Sequence, residues 1–225
     1  MSFAKTLKKL FIDSNMLTAL KITPQLEELI ADNNHLTTIQ VVNSFYYKLT
    51  TLSVQNNNFE SISPAYPFYN LQELSVGQNA IPGIHLPTII SRLPRLKSLN
   101  VSLSAVATVG STSDVKQTRL KVLDLSNNTL TAEEVEKVKN LPGLERFNIG
   151  GNQFDEFAAD VVLNNLPKLK TLGLSGSELT CGFTKYIEEI AKELHFTVET
   201  FSDTDQWQTK CGEAEAEQDN FTETK

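Results

Sequence analysis

Apolar and polar residues follow one another along this chain in a pattern that returns every 19 to 25 residues. The stretch Leu120-Lys121-Val122-Leu123-Asp124-Leu125-Ser126-Asn127-Asn128-Thr129-Leu130 shows it most fully, as LxxLxLxxNxL. Seven further units in the same register begin at Leu7, Leu26, Leu49, Leu71, Leu96, Leu144 and Leu169. Within each unit the alternation around the second leucine has a period of two, which predicts a short strand with Leu123 and Leu125 on its buried side and Val122, Asp124 and Ser126 on the other. Asparagine recurs four residues after the middle of that strand, as Asn15, Asn34, Asn57, Asn79, Asn128 and Asn152, with Ser104 and Ser177 in the two remaining units. A side-chain amide placed where the chain leaves a strand can bond backbone groups that lose water on burial, and stacked copies form a ladder. A repeat of this length predicts a solenoid in which each unit covers the apolar face of the next.

The halves of the units that follow the asparagine predict the outer side. In the first four units they hold Pro24, Pro64, Pro67, Pro82 and Pro87, which disfavour regular helix and suit extended or 3-10 segments. Later halves look helical. Thr131 to Leu141 offers an N-cap at Thr131, Glu134 three residues on, and Val135, Val138 and Leu141 at helical spacing; Phe157 to Leu166 is similar. After Leu179 the template stops. Thr184 to Leu194 predicts an amphipathic helix and His195 to Thr200 an edge strand. The expectation is an α/β solenoid over residues 1–180, with a parallel concave sheet of about eight strands, a C-terminal cap over 181–212 and an acidic, solvated tail over 213–225.

Charge narrows the partners. The net charge is −7, but residues 1–112 hold eight Lys/Arg against six Asp/Glu, and residues 113–225 hold twelve against twenty-one. The one basic cluster evident along the sequence is Lys5, Lys8 and Lys9, so a nucleic-acid partner is not expected. No apolar run is long enough to span a membrane. The first unit starts at Leu7, which leaves no room for a signal peptide or an N-terminal cap; the chain is expected to be a fragment, or to pack its N-terminus on something else.

No catalytic constellation is present. His35, His85 and His195 fall in distant units, and GxSxG, HExxH and GxxxxGK[ST] are absent. No enzyme, cofactor or metal is expected, since one histidine near Cys181 cannot complete a four-ligand site. The candidate site is the concave face. Phe11 and Ile30 stand on adjacent strands of an otherwise polar surface, flanked by Lys9, Glu28 and Asp32, and read either as a contact patch or as the end of an array covered by a missing cap. Glu73, Asn100, Asp124, Arg146 and Asn148 continue that face toward the C-terminus. Cys181 and Cys211 frame the capping helix; they are two separate thiols or, in the pattern usual for secreted domains, a disulfide closing the cap. Sequons for N-glycosylation occur at Asn100, Asn127 and Asn220.

The units resemble the leucine-rich-repeat superfamily over about residues 7–180. More narrowly, Leu179-Thr180-Cys181, the helix through Leu194, the Val198 strand, Asp205 and Cys211 resemble the cap of insect secreted proteins, notably the leucine-rich immune proteins of mosquitoes. The resemblance implies an extracellular recognition protein that binds other proteins in innate defence. It also implies parts this sequence lacks: a signal peptide, a coiled coil and further cysteines. The rival reading is a cytosolic scaffold or regulatory subunit. The oligomeric state is left open by the sequence.

Overall fold

The computed structural model describes residues 6–41, 46–116 and 118–199. Its main feature is a nine-stranded parallel sheet, each strand three residues long: β1 (Lys9–Phe11), β3 (Glu28–Ile30), β5 (Thr51–Ser53), β6 (Glu73–Ser75), β7 (Ser98–Asn100), β8 (Val122–Asp124), β9 (Arg146–Asn148), β10 (Thr171–Gly173) and β11 (Thr197–Glu199). Strands lie side by side in chain order, and the central residue of each pairs with that of the next: Leu10, Leu29, Leu52, Leu74, Leu99, Leu123, Phe147, Leu172 and Val198. The register of the eight units is thus the register of the sheet. The ninth strand comes from the segment after the cap helix, so that segment extends the array in parallel.

The leucines point into a single apolar core that runs the length of the array. Leu29, Leu52, Leu74, Leu99, Leu123 and Leu172 are all at most 1% exposed. Burying a leucine this fully contributes about 1.5–3 kcal/mol, and because identical columns repeat, each side chain is covered by the same column of its two neighbours.

The outer side follows the sequence expectation in its first three units and departs from it beyond them. Units one and two carry a small parallel sheet of β2 (Ala19–Ile22) and β4 (Thr38–Val41), and unit three a 3-10 turn at Ser63–Ala65. Unit four, however, forms the helix α1 (Leu86–Arg92) despite Pro87. Pro87 is the second residue of that helix, where the missing N–H would have had no partner in the helix and the fixed φ suits the first turn; His85 caps it by accepting from Thr88 N. Units six and seven hold α2 (Ala132–Glu136) and α3 (Ala159–Leu163), shorter than their periodicity suggested. The cap helix α4 (Cys181–Leu194) begins three residues earlier than expected, because Thr180 accepts from Phe183 N as its N-cap. It ends at His195, in the left-handed region with φ +60.

Candidate functional site

The asparagine column fixes the turns that carry the concave face. Asn57 is typical: its Nδ2 donates to Val54 O and Gln55 O of its own unit and to Ala31 O of the unit before, while its Oδ1 accepts from Leu36 N. Asn34, Asn79, Asn128 and Asn152 make the same set of bonds, each to its own unit and the preceding one. Asn15 is exposed and, among the described residues, its amide bonds only Ile12 O and Asp13 O of its own unit. Ser104 is too short to copy the rung: it accepts from Asn79 N at 3.4 Å and donates to Val76 O at 3.4 Å. Ser177 accepts from Gly151 N.

A second column escaped the sequence reading. The residue before each rung has a positive φ: Ser14, Asn33, Asn56, Gln78, Leu103, Asn127, Gly151 and Gly176. The Asn-Asn pairs at 33–34, 56–57 and 127–128 were the available signal, since asparagine tolerates this conformation better than most residues. Leu103 is the outlier, a bulky side chain held at φ +54 and 49% exposed.

On the concave face Phe11 and Ile30 pair directly across β1 and β3. Phe11 is 57% exposed and Ile30 half-buried. Lys9 and Glu28, two register positions away on the same face, form an ion pair of 2.6 Å, and the Glu28 carboxylate raises the Lys9 pKa through that hydrogen bond and its charge. The structure therefore brings together an apolar pair with a satisfied charge pair beside it. Asp32 turns along the sheet instead: its Oδ1 accepts from Ser53 Oγ and from Gln55 N, both at 2.7 Å.

From there the middle of the face is a polar relay. Gln55 donates to Ser53 Oγ, and Asn100 donates to Gln55 Oε1. That last contact skips unit four, whose corresponding residue is Gly77; a Cβ there would sit 2.9 Å from Ser102 Oγ. Asn100 Oδ1 accepts from Ser102 N, Asp124 from Ser126 N and Oγ, and Asn148 from Gly150 N. These residues satisfy one another and rim a shallow surface. Glu73 and Arg146 are exposed on β6 and β9, three strands apart, with no ion-pair partner among the described residues.

Of the sequons, Asn100 lies in β7 with its amide engaged on both sides, and Asn127 is exposed at its turn with φ +53. Asn220 lies outside the described residues, as does Cys211. Cys181, the first residue of α4, is disulfide-bonded. Among the described residues no group of three or more His, Cys, Asp or Glu converges as a metal site would require, and no helix is long and apolar enough to cross a membrane.

Comparison with known proteins bears on the fold and, more coarsely, on the function. A family model described as leucine rich repeat matches residues 118–180. Among curated proteins, the receptor-like protein EIX1 of Solanum lycopersicum is 30% identical over 120 residues, 53% of this chain and 11% of its own length. Oligodendrocyte-myelin glycoprotein of Homo sapiens is 26% identical over 182 residues, 71% of this chain and 40% of its own length. The chain thus spans less than half the length of either relative. Among solved structures, the leucine-rich repeat domain of APL1B superposes with a TM-score of 0.64 at 21% identity, covering 88% of this chain and 54% of that one. The mouse RP105/MD-1 complex gives a TM-score of 0.62 at 22% identity, covering 85% and 34%. Repeat sequence and fold agree: residues 118–180 match the leucine-rich-repeat family model, and the chain has the leucine-rich-repeat fold.

Proposed function

We propose that the chain is a non-catalytic recognition module that binds a protein partner through its concave face, and that it works outside the cell. The observation that carries this is the Phe11–Ile30 pair: two apolar side chains in register, one of them mostly exposed, beside a charge pair and a polar middle whose groups bond one another. Water is displaced from such a patch at little polar cost, the property of interface anchors. Lys9, Glu28, Glu73 and Arg146 form the polar rim, and Asn100, Asp124 and Asn148 the adaptable middle. The extracellular part is supported by the relatives, named as a receptor-like protein and a glycoprotein. A Cys181–Cys211 disulfide closing the cap and glycans at Asn127 and Asn220 belong to the same reading, and the cap's likeness to insect secreted proteins supports a role in innate immunity.

The test uses the partner captured from the native source. Phe11→Ser with Ile30→Ser is expected to weaken its binding about tenfold or more, with the circular dichroism and melting of the chain unchanged. Affinity within about twofold of wild type would dismiss the patch. Thiol titration of protein from the same source, without reductant, is expected to find neither cysteine; two titratable thiols would sink the extracellular reading.

A further inference from the structure

The flank of the sheet that leads into the strands carries a second surface. The residues just before and just after the first leucine of each unit repeat in the sheet's register, so cations at those positions gather side by side. Arg95, Arg119 and Lys168 hold the first position in units five, six and eight, and Lys97, Lys121 and Lys170 the second. This corrects the expectation that the sequence's basic residues cluster only at Lys5, Lys8 and Lys9: residues spaced 24 to 49 apart come onto one flank, one or two strands from each other, once the units stack. In unit seven Glu145 stands in the second position and bridges Lys121 at 2.7 Å and Lys170 at 2.6 Å. Gly143 stands in the first, and the missing side chain leaves a gap between Arg119 and Lys168.

Through that gap runs a groove of about 700 Å³, with apolar walls of Ile90, Pro94, Pro142 and Pro167 and with Lys116, Arg119 and Lys168 along it. Those three cations and Arg95 have no carboxylate within ion-pair distance among the described residues. We propose that the groove docks an extended acidic segment of a partner protein, its carboxylates on Lys116, Arg119 and Lys168 and its apolar side chains against the prolines. Unpaired cations supply the charge complementarity, and exposed prolines offer apolar surface already fixed in shape. No aromatic ring lines the groove, so it lacks the stacking platform that single-stranded nucleic acid uses. From β7 to β10 there are three strand spacings, about 15 Å, which an extended peptide of about five residues spans.

The probe is a fluorescein-labelled Glu-Leu-Glu-Glu-Leu-Glu peptide, titrated by anisotropy against the full chain. Binding is expected to saturate, to weaken as salt rises, and to fall about tenfold or more in Arg119→Glu with Lys168→Glu. These side chains are on the surface, and an unchanged melting curve shows that the variant folds. Phe11→Ser with Ile30→Ser is expected to leave this binding unchanged, which separates the flank from the concave face. The same peptide with Gly for Leu, and an oligothymidylate of equal charge, are expected to bind more weakly. Affinity untouched by charge reversal, or binding of either comparator as tight as that of the probe, would overturn the proposal, the second by showing a general polyanion surface in place of a peptide groove.

Discussion

A single amide shows how much of this molecule depends on repetition. Asn128 accepts from Ser104 N and Val106 N and donates to Val101 O, Leu125 O and Ser126 O, all in the buried interior. Asn128→Ala strands these groups without water and is expected to cost about 3 kcal/mol in urea unfolding, whereas Asn15→Ala, at an exposed turn, should cost under about 1 kcal/mol. The same column letter therefore has different weight at the end of the array and inside it, a difference visible only once the preceding unit is seen to cover one rung and not the other. Glu145 gives a pH signature at this scale. Hydrogen bonds from Lys121 and then Lys170, aided by their charges, hold its carboxyl down from 4.5 to about 2. Because the folded value is the lower one, the stability it contributes is full above about 4.5 and is lost as pH falls through about 2. The stability difference between wild type and Glu145→Gln, followed by denaturant unfolding across that window, should accordingly shrink toward acid; a difference constant with pH would show that the carboxylate is not held.

At the scale of the element, local motifs yielded to contacts between units. The Thr131 and Glu134 spacing predicts a capping box at the start of α2, but Thr131 makes no side-chain cap bond. Glu134 turns away to accept from Val109 N of the preceding unit and to pair with Lys137 at 2.5 Å. Burial acts to raise the Glu134 pKa, yet the hydrogen bonds from Lys137 and Val109 outweigh it and leave it lowered. Thr131→Ala is therefore expected to change stability by less than about 0.5 kcal/mol and Glu134→Ala to cost about 1–2 kcal/mol, as judged by thermal and urea melts. Helix α1 teaches the converse. Proline counted against helix in unit four, when its position in the first turn made it compatible; composition gave the wrong sign because the effect of proline depends on where in the helix it falls.

Over the whole molecule, the register of apolar positions was legible because each column has one environment, repeated in every unit. Leu10 through Leu172 could be placed from spacing alone, and so could the neighbours Phe11 and Ile30. The outer side was less legible, since there each unit solves its own short connection with different residues. What the sequence hid was lateral: Arg119 and Lys168 lie 49 residues apart, and only stacking makes them one surface. The acidic balance of the C-terminal half concealed it, because Glu133, Glu134 and Glu136 fall on α2 and Glu188, Glu189 and Glu193 on α4, leaving Glu145 as the acidic residue among the flank cations. One earlier feature reaches further. The side-chain amide of each interior asparagine ties its unit to the one before and to no other, so the coupling it adds runs between nearest neighbours. Ser104 is the link with the longest bonds, beside a leucine in a strained turn. The side-chain rung between units four and five is therefore expected to be the weakest coupling of the ladder, and the backbone bonds that cross there, such as Val76 N to Asn100 O and Ile84 N to Thr108 O, have to carry what the serine does not.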